Sequence, residues 1–318
     1  MPTVLITGAT GFVGQALVAA LASQCRVRRA LRAPGPAQPG CEDAVVGTID
    51  GATDWRAALA GVDAVVHLAA RTHVLRDTAP DPFAAYREIN VQGTRRLAEQ
   101  AAASGVKRFV FLSSIKVNGE ATTGRPYSEG DEPRPEDAYG RTKLEAERAL
   151  AEIGAQSALP CVVLRTPLVY GPGVKGNLRA LMRVLARGTP LPFAAIRNQR
   201  SLIGLDNLVS ALALALMHPD AAGRTFLLAD GEDLSTPQLM QLIAAGLGRP
   251  ARLFPVPAAI LACAGFLTGR GAAIARLTGS LQVDASAIRR ALGWQPAVPA
   301  AEGLARMARW YDRDVLHA

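Results

Sequence analysis

The sequence is poor in cysteine and has no cysteine pair. Its four cysteines stand apart, without a CxxC spacing: Cys25, Cys41, Cys161 and Cys263. A disulfide scaffold and a cysteine-ligated zinc site are therefore excluded, and the sequence holds no other cluster of metal-ligand type. We expect these residues to be free thiols, mostly buried, in a reducing cytoplasm.

Long apolar runs are also missing. The longest, residues 258–267, is too short to span a bilayer, and Met1-Pro2 runs straight into the first apolar segment without a basic or apolar leader. We therefore expect a cytoplasmic protein that is not inserted in a membrane. With 318 residues, 49% hydrophobic and 19% charged, the chain can bury one large core or two unequal ones.

The chain lacks the basic helices and aromatic-studded strands that nucleic-acid-binding proteins carry. Its 35 basic and 27 acidic residues give a net charge of +8, but the Lys and Arg are dispersed. This balance suits an anionic small molecule, and we expect no nucleic-acid partner.

A glycine-rich turn stands close to the N-terminus. Residues 3–14, TVLITGATGFVG, predict a strand, a turn and the start of a helix. The free N–H groups and positive dipole end of a helix bind a pyrophosphate when no Cβ blocks its approach. The turn therefore predicts dinucleotide binding by Gly8, Thr10, Gly11, Phe12, Val13 and Gly14.

No acidic residue follows the second predicted strand, residues 26–31. Enzymes that prefer NAD place an acid there to bind the ribose 2′-OH, whereas a cation suits the 2′-phosphate of NADP. Arg28, Arg29 and Arg32 stand at this position instead. The pattern favours NADP(H), with NAD(H) possible; the alternative is that these are solvated arginines at a sheet edge.

Ser114, Tyr139 and Lys143 are the candidate catalytic residues. A predicted strand, residues 108–112, carries Ser114 to the carboxyl edge of the sheet, where open parallel sheets bind ligands. Tyr139 and Lys143 are four residues apart at the start of a predicted helix, so they share one face. A phenol with a pKa of about 10 exchanges protons at neutral pH when a neighbouring Lys⁺ stabilises its anion.

The glycine spacing in TGATGFVG, the serine at a strand end and the motif YGRTK occur in that order, and together they resemble the short-chain dehydrogenase/reductase superfamily. Over essentially its whole length the chain is similar to the extended members, the NAD-dependent epimerase/dehydratase family of UDP-hexose 4-epimerases and ketoreductases. The resemblance implies an α/β fold: a Rossmann-type doubly wound parallel sheet in residues 1–168, to which residues 200–230 return, and a smaller mixed substrate lobe in 169–318.

The resemblance also assigns roles to single residues. Ser114 would hold the C4 oxygen of the sugar, Tyr139 would exchange its proton, and Lys143 would bind the nicotinamide ribose. Arg32, in VRRALRAP, would occupy the phosphate-binding position. The remaining cofactor contacts implied are Ile49, Asp50, Leu68, Ala69, Ala70, Asn90 and Pro167. His67 lies in the same apolar run as Leu68, and we interpret it as a packed histidine with satisfied ring nitrogens.

A second group of residues matches the family's UDP-sugar contacts. Arg200 would clamp the pyrophosphate, a task that suits a planar fork of donors, and Phe193 would stand beside the uracil. Lys116 is ambiguous between a substrate contact and a solvated lysine. The implied substrate contacts are Thr72, Val74, Ser114, Lys116, Tyr139, Asn177, Leu191, Phe193, Arg200 and Arg276.

The sequence departs from the family at several of these places. Lys116 and Asn118 stand where relatives carry Thr and Tyr, and Leu168 stands where 4-epimerases carry Asn. Ile115-Lys116 cannot supply the Asp-Glu pair with which dehydratases eliminate water, so dehydration is disfavoured.

Two enzyme activities follow from the resemblance. We favour an NADPH-dependent 4-ketoreductase, such as one that converts UDP-4-keto-6-deoxy-GlcNAc to UDP-QuiNAc for surface polysaccharides, because of the arginines after the second strand. The alternatives are a UDP-glucose or UDP-GlcNAc 4-epimerase and, from another class, a catalytically silent NADP(H)-binding scaffold or sensor. Relatives commonly pair the helices that hold Tyr86 and Leu150, which predicts a homodimer.

Overall fold

A seven-stranded parallel sheet forms the centre of the molecule. The computed structural model describes residues 1–72 and 80–316, so Val74 lies outside the described residues. The strand order is β3-β2-β1-β4-β5-β6-β9, and every pairing within this sheet is parallel. The strands are β1 Thr3–Thr7, β2 Arg26–Leu31, β3 Cys41–Val45, β4 Ala64–His67, β5 Arg108–Ser114, β6 Cys161–Thr166, β7 Leu168–Tyr170, β8 Leu202–Gly204 and β9 Thr225–Leu227.

Helices cover both faces of this sheet, because its strands are apolar on both sides. In β1, Val4 and Ile6 pack with α1, α7 and α11, whereas Leu5 packs with α2, α4 and α5. The helices are α1 Phe12–Leu21, α2 Arg56–Leu59, α3 Pro82–Arg87, α4 Gly93–Ala103, α5 Ala138–Ser157, α6 Gly176–Ala186, α7 Leu205–Met217, α8 Thr236–Gly246, α9 Ala258–Leu267, α10 Gly271–Thr278, α11 Ser286–Leu292 and α12 Ala300–Tyr311.

The direction of winding reverses between β1 and β4. The chain builds β1 to β3 toward one edge and then crosses back to add β4, β5 and β6 on the other side. Loops that follow β1 and β4 therefore diverge and leave a crevice at the carboxyl ends of the strands, where such folds bind ligands. The predicted doubly wound Rossmann-type sheet is confirmed.

A separate apolar core forms the lobe beside this crevice. It is built from α6, α8 and α12 and contains Met182, Ile243 and Met307. The short parallel pair β7–β8 joins it to the sheet, and α9 and α10 pack against each other as a hairpin. In the part of the chain that the structure describes, no helix is both long and apolar enough to cross a membrane.

The sequence also predicts a helix over 208–217, capped by Asp206-Asn207, and one over 83–103, and both differ in the structure. The first begins at Leu205 with Gly204 as its N-cap, so Asp206 and Asn207 lie in its first turn. The second is interrupted by a π-helical turn, Glu88–Gln92, between α3 and α4. Such one-residue insertions are frequent at functional sites, and this one contains Asn90.

Candidate active site

The glycine turn between β1 and α1 leaves room for a phosphate group. Gly8 has a φ of +67°, and a Cβ there would stand 2.8 Å from the backbone nitrogen of Ala69. A Cβ on Gly14 would stand 2.1 Å from the carbonyl oxygen of Gly8. Gly11 caps α1 without a side-chain hydrogen bond, so the helix presents open N–H groups to a ligand. The turn fits the pyrophosphate of a dinucleotide.

The residues predicted beside this turn lie around it. Thr10 is exposed, Phe12 and Val13 are partly buried at the start of α1, and Leu68 to Ala70 follow the neighbouring strand β4. The hydroxyl of Thr7 accepts hydrogen bonds from the backbone N–H groups of Leu68 and Ala69, at 3.2 Å each. These bonds tie the ends of β1 and β4 together at the crevice.

Two of the three arginines at the end of β2 are not available to a cofactor. Arg28 donates to Glu42 at 3.0 and 2.8 Å, and Arg29 donates to both oxygens of Asp43 at 2.7 Å. The parallel register of β2 and β3 sets these partners side by side. Arg32 follows the strand, is exposed, and forms no ion pair within residues 1–72 and 80–316. Of the three arginines, Arg32 therefore remains the candidate for binding the 2′-phosphate of NADP.

The loop that holds the predicted cofactor contacts Ile49 and Asp50 is fixed by its own side chains. The carboxylate of Asp50 accepts from the backbone N–H of Ala52 at 2.9 Å and from the hydroxyl of Thr53 at 3.1 Å. Helix α4 approaches so closely that a Cβ on Gly93 would stand 2.8 Å from Cγ2 of Ile49. Asp50 thus shapes this loop, while Ile49 is fixed against α4.

The three candidate catalytic residues come from two elements. Ser114 ends β5, and its Oγ accepts from the backbone N–H of Lys116 at 3.3 Å. Tyr139 and Lys143 occupy successive turns of α5, whose N-cap is Asp137. Tyr139 is partly exposed and Lys143 is buried. Pro167, predicted beside the nicotinamide, is buried immediately after β6, the strand that pairs with β5.

Burial disfavours the charged forms of both candidate catalytic residues of α5, Tyr139 and Lys143. Burial lowers the pKa of Lys143 to about 7, an effect that the carboxylate of Glu147 partly offsets. Burial, and then the nearby Asp137 and Tyr86, raise the pKa of Tyr139 above its ordinary value. With the protein groups alone, the phenol therefore keeps its proton at neutral pH, and the acidification of Tyr139 by Lys143 stays a prediction.

Lys116 is partly buried and ion-paired with two carboxylates, and its contact with a substrate stays a prediction. Its ammonium lies 2.6 Å from an oxygen of Asp137 and 2.8 Å from an oxygen of Glu120. Burial disfavours its charge, but the two carboxylates outweigh this effect and raise the pKa of Lys116. Asp137 also accepts from the N–H of Gly140 at 2.7 Å as the cap of α5. Lys116 therefore fixes the start of the helix that carries Tyr139.

A buried ion pair that the sequence did not reveal lies beneath the serines. Arg165 in β6 donates to Glu147 in α5 at 2.6 Å, and both side chains are less than a tenth exposed. Ser113 donates to the same carboxylate, and Arg165 donates to Asn118 at 3.0 Å. Two sequence features could have indicated this ion pair: Arg165 lies inside an apolar strand, and Glu147 follows Lys143 by one helical turn.

His67 links the two sides of the crevice. Its Nδ1 accepts from the hydroxyl of Thr7 at 2.6 Å, and its Nε2 donates to the hydroxyl of Thr94 at 2.9 Å. Thr94 in turn donates to the backbone carbonyl of Asn90 at 2.7 Å. Burial lowers the pKa of His67 to about 3, so the ring is neutral. The structure agrees with the interpretation of His67 as a packed, satisfied histidine.

The π-helical turn directs the side chain of Asn90 inward. Its Oδ1 accepts from the N–H of Arg71 at 2.7 Å, and its Nδ2 donates to the carbonyl of Arg71 and the hydroxyl of Thr142, both at 3.1 Å. Asn90 is therefore held between the loop after β4 and the residue that precedes Lys143.

On the lobe, Arg200 and Arg276 are brought together from distant parts of the chain. Arg200 donates to the carbonyl of Arg276 at 2.8 Å. Burial, and then the positive charge of Arg276, lower the pKa of Arg200. A guanidinium whose charge is disfavoured in this way is stabilised when an anion binds beside it.

The other predicted substrate residues lie in different environments. Asn177 is exposed in the first turn of α6, Leu191 is partly buried, and Thr72 is exposed, with its carbonyl accepting from the hydroxyl of Tyr86 at 2.7 Å. Phe193 is only 7% exposed and belongs to the lobe core. Its ring therefore supports the lobe, and its place beside the uracil stays a prediction.

Known proteins resemble this chain along almost its whole length. It is 43% identical, over 96% of its length and 94% of the relative, to a UDP-glucose 4-epimerase from Vibrio cholerae. It is 29% identical, over 81% of its length and 77% of the relative, to the N-acetyl-alpha-D-glucosaminyl-diphospho-ditrans,octacis-undecaprenol 4-epimerase of Escherichia coli O157:H7. The structure of MoeE5 in complex with UDP-glucose and NAD is 28% identical and superposes with a TM-score of 0.78, covering 98% of this chain and 99% of that one.

The family model agrees with this similarity. The model of the NAD dependent epimerase/dehydratase family matches residues 4–229, which include the glycine turn, Ser114, Tyr139 and Lys143. The chain therefore belongs to the NAD-dependent epimerase/dehydratase family.

Proposed function

We propose that the protein is an NAD-dependent 4-epimerase that acts at C4 of a UDP-hexose. The observation that carries the proposal is the position of Ser114 and of the Tyr139–Lys143 helix at the same sheet edge as the glycine turn. The 43% identity to a UDP-glucose 4-epimerase and the UDP-glucose and NAD bound to MoeE5 support the same substrate class and cofactor.

The chain would hold the dinucleotide through the glycine turn and Lys143. NAD, when bound, accepts a hydride from carbon and can return it. Tyr139 takes the proton of the C4 hydroxyl and later gives it back, and Ser114 hydrogen-bonds the same oxygen. Because Tyr139 otherwise keeps its proton at neutral pH, this exchange requires positive charge beside the phenol, and Lys143 supplies part of it when protonated.

The lobe would bind the diphosphate of the substrate. Arg200 is held against the backbone of Arg276 and would offer its guanidinium to the diphosphate together with that of Arg276, and the first turn of α6 adds N–H groups and Asn177. By its name, the substrate of the Escherichia coli relative is also a sugar diphosphate, which is the chemistry that it shares with a UDP-sugar.

One observation favours the second candidate, a 4-ketoreductase. Arg32 is exposed at the carboxyl end of β2 and has no ion-pair partner among the described residues, and no acid follows the strand to bind a ribose hydroxyl. This arrangement suits the 2′-phosphate of NADPH. A reductase oxidises one NADPH for each sugar that it reduces, whereas an epimerase would restore its oxidised NAD in every cycle. The two candidates therefore predict different cofactor stoichiometry.

The test begins with the protein as purified. Any bound nucleotide is released and identified, and the protein is then supplied separately with NAD and UDP-glucose or with NADPH and a UDP-4-keto-sugar. Interconversion of UDP-glucose and UDP-galactose without net change in the reduced cofactor supports the epimerase. Stoichiometric oxidation of NADPH overturns it in favour of the reductase, and dinucleotide binding without turnover of either substrate would identify a silent scaffold.

A further inference from the structure

The α9–α10 hairpin exposes an unusual amount of apolar surface. Helix α9, AAILACAGFL, has no charged side chain on any face, and only Leu261 and Gly265 in it are buried. Phe266 is 83% exposed and Leu267 is 82% exposed at its end, and Ile260 is 57% exposed on another face. A helix that is apolar all round is ordinarily buried, so this surface requires a covering partner.

The exposed tip is presented by an ordered turn. Gly265 packs so closely on α10 that a Cβ there would stand 2.9 Å from Cγ1 of Ile274. The backbone N–H of Arg270 donates to the carbonyl of Gly265 at 2.7 Å, and the hydroxyl of Thr268 donates to the carbonyl of Ala264 at 2.8 Å. Phe266 and Leu267 therefore project from a fixed hairpin.

Cations predominate in much of the sequence that forms this lobe. Residues 171–200 and 234–283, which hold α6, α8 and the whole hairpin, contain ten Lys and Arg and no Asp or Glu, whereas α12, the third helix of the lobe, carries both signs. The net charge of the chain is +8, so the rest of the chain has a net charge of −2. Arg270 is exposed at the hairpin tip, and Arg252 is exposed two residues before Phe254, which is itself 45% exposed.

We propose that the lobe docks on the surface of an anionic lipid bilayer through the tip of the α9–α10 hairpin. Phe266 and Leu267 enter the boundary between head groups and acyl chains, while Arg252 and Arg270 lie at the level of the lipid phosphates. A second copy of this chain fits less well, because it would bring two cationic surfaces together. The docking is independent of which reaction the site catalyses.

The experiment is co-sedimentation with vesicles of phosphatidylcholine and phosphatidylglycerol in equal parts, beside vesicles of phosphatidylcholine alone. We expect wild-type protein to sediment with the anionic vesicles and to be released by salt. The double variant Phe266→Ser/Leu267→Ser should bind at least about tenfold more weakly, since two buried apolar side chains are lost. Met217→Ser removes a side chain that is 59% exposed at the end of α7 and should bind like wild type.

Three results would overturn the proposal. In the first, the wild type does not bind anionic vesicles at low ionic strength. In the second, the double variant binds these vesicles as strongly as the wild type does. The third is self-association of the wild type in lipid-free solution that the double variant abolishes, which would assign the hairpin to contact between copies. Thermal unfolding of each variant without lipid verifies that a loss of binding is not a loss of fold.

Discussion

Tyr139 and Lys143 occupy one face of α5, and burial drives both toward their uncharged forms. For the phenol this means a raised pKa, and for the amine a pKa lowered from 10.5 to about 7. The Nζ of Lys143 lies 3.9 Å from the centroid of the Phe111 ring, where the π face offers its charge weak support. Lys143 is therefore a group whose charge is destabilised in the folded chain.

This effect makes the stability of the protein depend on pH in a defined direction. Between pH 7 and 10.5 the unfolded chain binds more protons at Lys143 than the folded chain does, so the free energy of unfolding rises with pH across this range. Lys143→Met removes the contribution. Urea unfolding at several pH values should show wild type gaining stability relative to the variant as pH increases. A difference that stays constant with pH would contradict the pKa shift.

The role proposed for the Tyr139 hydroxyl is tested by Tyr139→Phe. Loss of the proton donor should reduce kcat by about 10²–10⁴-fold. Dinucleotide affinity, measured by calorimetry, should change little, because the glycine turn is untouched. Tyr86→Phe is the matched control, since the hydroxyl that it removes bonds the backbone carbonyl of Thr72. Equal losses in the two variants would remove the catalytic assignment.

At the scale of elements, the π-helical turn depends on the hydrogen-bonded chain through His67. Thr94→Val keeps the shape but leaves the buried N–H of His67 without an acceptor, which should cost about 1–3 kcal/mol of unfolding free energy. Thr94→Ser keeps the hydroxyl and loses one methyl group, worth about 1 kcal/mol. Urea unfolding should therefore rank the valine variant below the serine variant. The reverse order would show that His67 finds another acceptor.

The contact between α5 and β6 depends on one buried ion pair. Glu147→Gln leaves the guanidinium of Arg165 without its carboxylate, and we expect a loss of about 3–5 kcal/mol in unfolding free energy. Glu152→Gln breaks the exposed pair with Arg95 and should cost less than about 1 kcal/mol. Chemical denaturation of both variants measures the difference. Similar small losses in both would mean that water replaces the missing carboxylate.

The sequence predicted secondary-structure elements better than it predicted the ion pairs and hydrogen bonds between them. The predicted and observed bounds of β2 agree residue for residue, because a proline-rich turn ends the strand. The order of glycine turn, serine and YGRTK identified the family. The ion pairs of Arg28 and Arg29 were missed because they need the register of β2 against β3, which no local pattern contains. The π-helical turn was missed for the same reason, since it rests on Thr94 and His67, 27 residues apart.

At the scale of the whole molecule, the net charge alone does not show how unevenly the charged residues are distributed along the chain. A net charge of +8 was first interpreted as dispersed, yet the charged side chains of residues 171–200 and 234–283 are all cations and the rest of the chain is slightly acidic. The cysteines were expected to be mostly buried, yet Cys263 in α9 is an exposed thiol. Both facts depend on which residues the fold leaves at the surface.

The assembly of the molecule is a further prediction. We expect a homodimer through the helices that hold Tyr86 and Leu150, which are α3 with its continuation α4, and α5, because the resemblance to the family implies this pairing. Sedimentation velocity should then give about twice the chain mass of 33.3 kDa at micromolar concentration. A single species at the chain mass would remove the dimer. The Phe266→Ser/Leu267→Ser variant is the control here, because a dimer through α4 and α5 should survive it.

The neutral state of His67 has a consequence for kinetic measurements. An ionisation near pH 7 in a rate profile is ordinarily assigned to a histidine, and this one is next to the catalytic helix. With both ring nitrogens bonded and a pKa of about 3, His67 does not change charge in any assay near neutrality. Such an inflection would therefore not come from His67, and an enthalpy of ionisation typical of a lysine would assign it to Lys143, whose pKa is about 7.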